Sequence, residues 1–294
     1  MSRDLAQAAR ALADWLDATG PVAVLTGAGL STESGIPDYR GPTGAARPAT
    51  PMTLQVFTGS EAAQQRYWAR SQVGWRTIAL AEPNDGHRAV SELTRQGRLA
   101  GTITQNVDGL HRAAGLGRAI EPGDPDGLAA AIELHGNLDH VVCLRCGERS
   151  SREALDVRLQ EANPHWQARV LAVKPDGDVE LADSDVTSFH VVACQVCAGT
   201  LKPDVVFFGE TVPADRVAAS FALVESAAGL LVLGSSLRVM SGYRFVLRAG
   251  TLGLPVAIVN QGPTRGDTRS DLRLDAPLGQ LLTRVAEPTY GAVF

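Results

Sequence analysis

Four apolar, β-branched runs that each end in small or polar residues constrain the fold of this chain most strongly. The runs are VAVLTGAG (22–29), LAGTITQNVDG (99–109), LLVLGSS (230–236) and PVAIVNQG (255–262). Continuous apolar runs of this kind are typical of parallel strands that are buried on both faces. Ligands of open α/β sheets bind beyond the carboxyl ends of the strands, so we expect the four polar tails to meet at one crevice.

Helical patterns lie between these runs. Apolar residues recur at helical spacing around residues 89–96, 217–228 and 243–249, and the N-terminal segment 5–16 has the same period. The alternation predicts an α/β fold with a large, Rossmann-like domain built on a doubly wound parallel sheet. The N-terminus matches neither a signal peptide nor a membrane span.

Two segments interrupt the alternation and predict a smaller, inserted domain. Residues 41–85 read as a loop followed by helices, and residues 137–202 contain all four cysteines. The Rossmann-like domain then comprises 1–40, 86–136 and 203–294, and the smaller helical and zinc-binding domain comprises 41–85 and 137–202. A chain of 294 residues with 45% hydrophobic content is long enough for two such cores.

The cysteines form two Cys-x-x-Cys pairs, Cys143 with Cys146 and Cys194 with Cys197. Four thiolates suit a tetrahedral Zn²⁺ and leave no open position for substrate, which predicts a structural zinc. A redox role for one pair is the alternative, and the matched set of pairs disfavours it. Cysteine usage without a secretory signal indicates a reducing compartment, and we expect the cytoplasm.

The tail GAGLSTESG (27–35) allows the backbone to approach a pyrophosphate closely, although a tight turn alone also requires small residues. The fingerprint of dehydrogenases adds an acidic residue about 20 positions further on. Arg47, Pro48 and Thr50 occupy that region, which disfavours a conventional dehydrogenase. The net charge of −5 without a basic stripe disfavours a nucleic-acid partner.

Two histidines are candidate general bases, because the unperturbed pKa of histidine suits proton transfer near neutral pH. His135 lies in IELHGN and His111 lies in TQNVDGLHRAAG. A lone histidine is more often a structural residue than a catalyst. Spacing alone does not choose between the two.

Seven features occur in the order typical of the sirtuins and resemble that family over residues 22–264. They are GAGLSTESGIPDYRG, TQNVDGLHRAAG, ELHG, the paired cysteines, LKPDVVFFGE, GSSLRV and VNQGPT. QQRYWARSQVGW, KPDGDV, LKPDVVFFGE and SGYRF most resemble the class II branch, which includes a mitochondrial sirtuin and bacterial relatives. The resemblance implies an NAD-dependent protein-lysine deacylase that releases lysine, nicotinamide and O-acyl-ADP-ribose.

In sirtuins the acyl oxygen attacks the ribose carbon that bears nicotinamide, and a ribose hydroxyl then opens the resulting imidate. By resemblance, His135 is the general base for that hydroxyl and His111 is structural. Gln105 and Asn106 match residues that position ribose and water, and Asp108 matches the group that holds the nicotinamide carboxamide. These roles are chemically sensible, because a developing ribosyl cation requires a site that excludes water.

The resemblance also implies an NAD site. Its residues are Gly27, Ala28, Gly29, Ser31, Asp38, Tyr39, Arg40, Arg47, Gln105, Asn106, Val107, Asp108, Gly234, Ser235, Ser236, Asn260, Gln261, Gly262 and Leu278. The first three match the pyrophosphate contacts, and those from Gly234 onward match the adenosine side. Tyr39 stands where the family usually has Phe.

The substrate side follows in the same way. Val206, Phe207, Gly209 and Glu210 resemble the edge that pairs with the substrate peptide by strand addition, in which backbone hydrogen bonds supply the affinity. Ser241 and Gly242 stand where many relatives have Pro, and we expect peptide docking to differ accordingly.

Tyr67 and Arg70 are spaced i, i+3 and share a face if this segment is helical. A similar pair in desuccinylating sirtuins recognises an acyl carboxylate, with Arg as the charge partner. This predicts a preference for acidic or bulky acyl groups over acetyl. The alternative is a helix surface on which Arg70 is solvated and Tyr67 packs.

Two other functions compete with deacylation: protein mono-ADP-ribosyl transfer, and a non-catalytic module that senses NAD and binds zinc. His135 together with Gln105, Asn106 and Asp108 favours catalysis, because a pure binder needs no base beside the ribose. We expect acyl-lysine proteins or peptides as partners, no nucleic acid or membrane, and a monomer.

Overall fold

The computed structural model describes residues 3–38, 52–117, 131–168, 172–173 and 179–287. Three residues that the sequence assigns to the NAD site lie outside these described residues: Tyr39, Arg40 and Arg47. The helices are α1 Arg3–Thr19, α2 Leu54–Gly59, α3 Glu61–Ala79, α4 Asp85–Arg95, α5 Leu110–Ala113, α6 Arg152–Ala162, α7 Asp183–Thr187, α8 Ala214–Ser226, α9 Met240–Leu252 and α10 Leu278–Ala286. The strands are β1 Val22–Thr26, β2 Leu99–Thr104, β3 Ile132–Glu133, β4 Gly136–Cys143, β5 Arg149–Ser151, β6 Ala172–Val173, β7 Val179–Glu180, β8 Leu201–Val205, β9 Leu230–Leu233, β10 Val256–Val259 and β11 Leu272–Leu274.

Within the described ranges, six strands form one parallel sheet in the order β11-β10-β9-β1-β2-β3. The four apolar runs form β1, β2, β9 and β10, so the predicted fold class is confirmed. The sheet edges β3 and β11 have two and three residues, which is too short for a recognisable hydrophobic period.

The central strand β1 shows why the sheet is doubly wound. All five of its residues are buried, and side chains along a strand alternate between the two faces. Val22 and Val24 pack in one core with residues of α1, α4 and α10. Ala23 and Leu25 pack in another core with residues of α8 and α9. A continuous apolar run is therefore what this strand requires.

The strand order reverses between β1 and β9. From β1 the chain proceeds outward to β2 and β3 on one side, whereas β9, β10 and β11 follow one another on the other side. Such a switch point leaves a crevice at the carboxyl ends of the two central strands. Gly27 follows β1 and Gly234 follows β9, so both residues lie at this crevice.

A separate core joins α2, α3, α6 and α7 to the antiparallel sheet β5-β4-β8. Its centre includes Trp68, whose indole Nε1 donates to the Leu201 oxygen at 3.1 Å, and Arg152, which is buried over the rings of Trp68 and Trp75. This core also includes Phe207. The division into two domains stays a prediction. None of the helices in the described ranges combines the length and the apolar content that crossing a bilayer requires.

Candidate active site

A cavity of about 1220 Å³ lies at the carboxyl ends of the central strands, and the tails of β1, β2, β9 and β10 all contribute to its wall. The residues that sequence assigns to the site and that line the cavity are Gly27, Ala28, Gly29, Ser31, Asp38, Tyr67, Gln105, Asn106, Val107, Asp108, His135, Val206, Phe207, Gly209, Glu210, Gly234, Ser235, Ser236, Asn260, Gln261, Gly262 and Leu278. Pockets for drug-sized ligands span about 300–1,000 Å³, so this cavity has room for a dinucleotide and an extended side chain.

His135 is held at the cavity wall by a partner on each ring nitrogen. Its Nδ1 lies 2.9 Å from the backbone oxygen of Gln105, and its Nε2 lies 2.9 Å from Oγ of Ser241. A carbonyl oxygen only accepts, so Nδ1 carries the proton and donates to it. The neutral ring therefore has its basic lone pair at Nε2.

The residue after the histidine explains how the ring is positioned. Gly136 has φ of +82°, and a Cβ at this residue would lie 2.0 Å from the Asp204 oxygen on the neighbouring β8. Only glycine fits there, at the first residue of β4. The Val206 N–H also donates to the His135 oxygen at 2.8 Å. The base and the loop that follows β8 are thus fixed to one another through the backbone.

Burial is the main cause that lowers the pKa of His135 below its usual value of 6.5, and the nearby guanidinium groups of Arg244 and Arg216 add to the effect. The hydrogen bond to the Gln105 oxygen opposes it, because it favours the charged ring. A lowered pKa keeps the imidazole neutral, and able to accept a proton, at mildly acidic pH.

Ser31 is the centre of a polar network in the cavity wall. Its hydroxyl donates to Oδ2 of Asp108 at 2.7 Å and accepts from Nδ2 of Asn106 at 3.0 Å. The second proton of that amide goes to the Gly27 oxygen at 3.1 Å. Burial raises the pKa of the Asp108 carboxyl, and the hydrogen bonds from the Leu110 N–H and from Ser31 oppose the rise. The network fixes the orientation of both Asn106 and Asp108.

His111, the other candidate base, is not among the residues that line the cavity. It is buried, its Nε2 lies 2.9 Å from Oγ1 of Thr26, and its ring packs edge-on against that of His87 at 5.1 Å. Burial lowers the pKa of His111 to about 3, so the ring stays neutral at any physiological pH. Of the two histidines, His135 alone has access to the cavity.

The loop after β8 is wrapped around a buried lysine. The ammonium of Lys202 contacts Oε2 of Glu210 at 3.1 Å, donates to the Pro203 and Val205 oxygens, and lies 4.8 Å from the centre of the Phe207 ring. The same Glu210 oxygen accepts from the Phe207 N–H at 2.8 Å. Glu210 therefore holds the loop to Lys202, in addition to lining the cavity.

Helix α3 brings one of its two predicted substrate residues to the cavity. Tyr67 lines it, and its ring packs edge-on against Phe57, Trp68 and Phe207 with centroid separations of 5.2–5.4 Å. Arg70 is half-buried and is not among the lining residues. The role of this pair in acyl recognition stays a prediction.

The four cysteines come together in two turns with the same backbone geometry. Their Sγ atoms all lie within 4.8 Å of one another. In one turn the Gly147 N–H donates to the Cys143 oxygen, and in the other the Ala198 N–H donates to the Cys194 oxygen. Tetrahedral Zn²⁺ with bonds of about 2.3 Å requires thiolates about 3.8 Å apart. The pairs at 3.5 Å and 3.8 Å fit that geometry.

The donor chemistry of this cluster is also that of a structural zinc. Four thiolates complete the coordination, so no position remains for substrate or water. Hydrogen bonding from the Cys146 N–H is the largest cause that lowers the pKa of the Cys143 thiol, to about 6. The pKa of Cys146, despite the hydrogen bond from the Glu148 N–H that lowers it, is raised to about 12 by the side chains of Cys197, Cys143 and Cys194.

The sequence did not identify all of the residues that matter at this site. Ser241 contacts the base, Arg244 lines the cavity near it, and Lys202 holds the loop after β8. Ser241 was noted only as a departure from the usual Pro. A signal for all three was present, since each belongs to a segment that resembles the sirtuins.

The comparisons with known proteins agree with this geometry. The Sir2 family model matches residues 27–241. A protein of Streptomyces coelicolor named NAD-dependent protein deacetylase 1 is 54% identical over 284 residues, covering 97% of this chain and 89% of the relative. A protein of Mycobacterium avium with the same name is 48% identical over 271 residues, covering 90% of each chain. The chain belongs to the Sir2 family, the sirtuins.

Solved structures of the family match along nearly the whole chain. A Sir2 structure with a p53 peptide and NAD⁺ has a TM-score of 0.68 at 28% identity, covering 91% of this chain and 92% of the other. A structure with a deacetylated p53 peptide and 3′-O-acetyl ADP ribose has a TM-score of 0.73 at 28% identity, covering 95% and 97%. The relation to the class II branch stays a prediction.

Proposed function

We propose that this protein is an NAD-dependent protein-lysine deacetylase. The observation that carries the proposal is the position of His135, which lines a cavity large enough for a dinucleotide and a lysine side chain and whose basic Nε2 is hydrogen-bonded to Ser241 in the same wall. The relatives named NAD-dependent protein deacetylase support it, and so does the solved relative that holds both a peptide and NAD⁺.

In this proposal each part of the cavity wall binds a different part of the substrates. Gly27–Gly29 face the pyrophosphate, while the tails of β9 and β10 hold the adenosine half. Asp108, fixed by Ser31, holds the nicotinamide carboxamide. Asn106 and Gln105 orient the ribose. His135 takes the proton of the ribose hydroxyl that completes acyl transfer.

The peptide lies along the loop from Val206 to Glu210, with its acylated lysine directed toward His135. This loop is attached to the base by the bond from the Val206 N–H to the His135 oxygen. Extended backbone offered to an exposed edge gives affinity with little selection for sequence, which suits an enzyme that acts on many acyl-lysine sites. The zinc bound by the four cysteines stabilises the fold and takes no part in the reaction.

The direct test is mass spectrometry of the products formed from NAD and acetyl-lysine peptides. We expect deacetylated peptide together with equal amounts of nicotinamide and O-acetyl-ADP-ribose. ADP-ribosylated protein would instead support the transferase. Intact NAD and intact peptide would support the non-catalytic module.

The preference for acidic acyl groups is the finer part of the proposal. What supports it is that Tyr67 lines the cavity and that Arg70 follows it three residues later on the same helix, a spacing that puts the two side chains on one face. A panel of acetyl-, succinyl-, glutaryl-, methylglutaryl- and lipoyl-lysine peptides tests it. In Arg70→Ala we expect the rates with acidic acyl groups to fall relative to acetyl.

The matched control is Arg66→Ala, which removes an exposed arginine of the same helix that is not among the cavity-lining residues. It should leave the relative rates of the panel unchanged. Unchanged relative rates in Arg70→Ala as well would refute the carboxylate role while leaving the deacetylase intact.

A further inference from the structure

The basic nitrogen of His135 is covered by a hydroxyl of the protein itself. Oγ of Ser241 lies 2.9 Å from Nε2. Nδ1 donates to the Gln105 oxygen, so Nε2 of the neutral ring accepts, and Ser241 is the donor in this bond. Both residues line the cavity. Any hydroxyl that transfers its proton to this histidine must either displace Ser241 or pass the proton through it.

The surrounding chain holds Ser241 in this place. It lies in the first turn of α9, whose following residues Tyr243 and Phe245 are anchored in the core. Gly242 comes so close to Gln105 that a Cβ would lie 2.4 Å from Oε1 of that side chain. The amide of Gln105 is itself bound to Oγ of Ser235 at 2.8 Å. The Ser-Gly pair therefore lets the helix approach until the serine reaches the base.

A hydroxyl is suited to relay a proton rather than to block it. It has one proton to donate and two lone pairs to accept with, so it can receive a hydrogen bond from the cavity side while it donates to Nε2. An ammonium in the same place has no lone pair with which to accept, so it could not receive a hydrogen bond from the cavity side while it donates to Nε2. The hydroxyl of Ser241 can therefore cover the base and still pass a proton to it.

We propose that Ser241 is a catalytic residue that relays the proton of the ribose hydroxyl to His135. The ribose O–H bond breaks as its proton moves to Oγ of Ser241, and the original proton of Ser241 moves to Nε2. Serine is regenerated with one new proton, His135 becomes an imidazolium, and the ribose oxygen gains the electron pair with which it attacks the acyl carbon. This relay rests on the proposed deacetylase function.

Two assays separate this step from binding and folding. In the proposed reaction, exchange of labelled nicotinamide into NAD in the presence of acetylated peptide precedes the step that needs the base. In Ser241→Ala we expect peptide deacetylation to fall about 100-fold, the lower end of the 10²- to 10⁴-fold contribution of a positioned acid or base. Nicotinamide exchange should stay within about twofold of wild type, because binding and the first step are retained.

Two further variants complete the experiment. Ser241→Thr keeps a hydroxyl on Cβ and should recover most of the deacetylation rate. Ser226→Ala removes an exposed serine hydroxyl at the end of α8, away from the cavity lining, and should behave as wild type in both assays.

Three results would overturn the relay: deacetylation by Ser241→Ala at the wild-type rate, an equal loss of exchange and deacetylation in that variant, or a folded Ser241→Thr as slow as Ser241→Ala. A wrong assignment of the deacetylase function would give a different result, because the wild-type protein itself would then catalyse neither nicotinamide exchange nor deacetylation.

Discussion

The crevice and the cysteine cluster are built in opposite ways. The crevice takes its wall from residues as far apart as Gly27 and Leu278, which meet because parallel strands end at one edge. The cysteine cluster takes its ligands from two short turns whose internal hydrogen bonds set their own shape. A site formed by short turns can be recognised from the spacing of its residues in the sequence. A site formed by residues that are far apart in the sequence can be recognised only once the fold is known.

The two regions also differ in what holds them together. Buried apolar strands and helices support the crevice, so its polar side chains are free to serve chemistry. The cysteine turns expose much of their surface, and zinc supplies folding free energy there directly. Side-chain removal in the crevice should therefore affect activity first, and side-chain removal in the cluster should affect structure first.

Cys143→Ala should have the largest effect. Binding of structural zinc contributes about 10–16 kcal/mol in small zinc domains, and three ligands retain only part of that. We expect loss of bound zinc and rapid proteolysis within residues 137–202. Metal analysis and limited proteolysis measure both, and a variant that kept its zinc and its melting curve would remove the distinction between the two regions.

His135→Ala should abolish deacetylation while fold and zinc content are retained. Loss of a general base costs about 10²- to 10⁴-fold in rate, and the half-buried ring leaves no unpaired charge behind. Rates, zinc content and thermal melting are measured together. His165→Ala, which changes an exposed histidine outside the cavity lining, is the control. Full activity in His135→Ala would show that another group is the base.

Lys202→Met tests how the loop after β8 is held at the crevice. It leaves Glu210 without its buried cation, and breaking such a pair costs about 3 kcal/mol. Because the pair holds the loop after β8, we expect the KM for peptide to rise and the KM for NAD to stay near wild type. Arg248→Met, on the outer surface of α9, serves as the control. Equal changes in both KM values would contradict a role restricted to the peptide edge.

Arg244→Gln should have the smallest effect, a shift in pH dependence. The neutral form of His135 is the active base, and its pKa is lowered mainly by burial and further by Arg244 and Arg216. Rates should therefore persist as the pH falls below 6.5, the usual pKa of a histidine. Removing the guanidinium of Arg244 raises the pKa of His135. The acid limb of the pH profile of kcat should therefore move to higher pH. An acid limb that moves down, or does not move, would contradict the charge effect.

The hydrophobic runs were sufficient to predict the parallel sheet and its crevice, because strands buried on both faces have a distinctive composition. The cysteine spacing was likewise sufficient to predict a four-thiolate cluster. The contacts of Ser241 and Lys202 were not predictable, because each depends on how closely two segments approach. At Gly242 the approach is so close that a Cβ would lie 2.4 Å from Oε1 of Gln105, and no residue pattern reports such a distance.

Strand β4 begins one residue after His135 and ends at Cys143, so the base and the metal cluster lie at opposite ends of one strand, whose pairing with β8 is irregular between Gly136 and Val141. Strand β8 pairs with β4 at both ends, at Cys143 beside the cluster and at Gly136 beside the base. A reagent that extracts the metal thus acts on the enzyme without entering the crevice. We expect inhibition by such a reagent to compete with neither NAD nor peptide, so that raising the concentration of either does not relieve it.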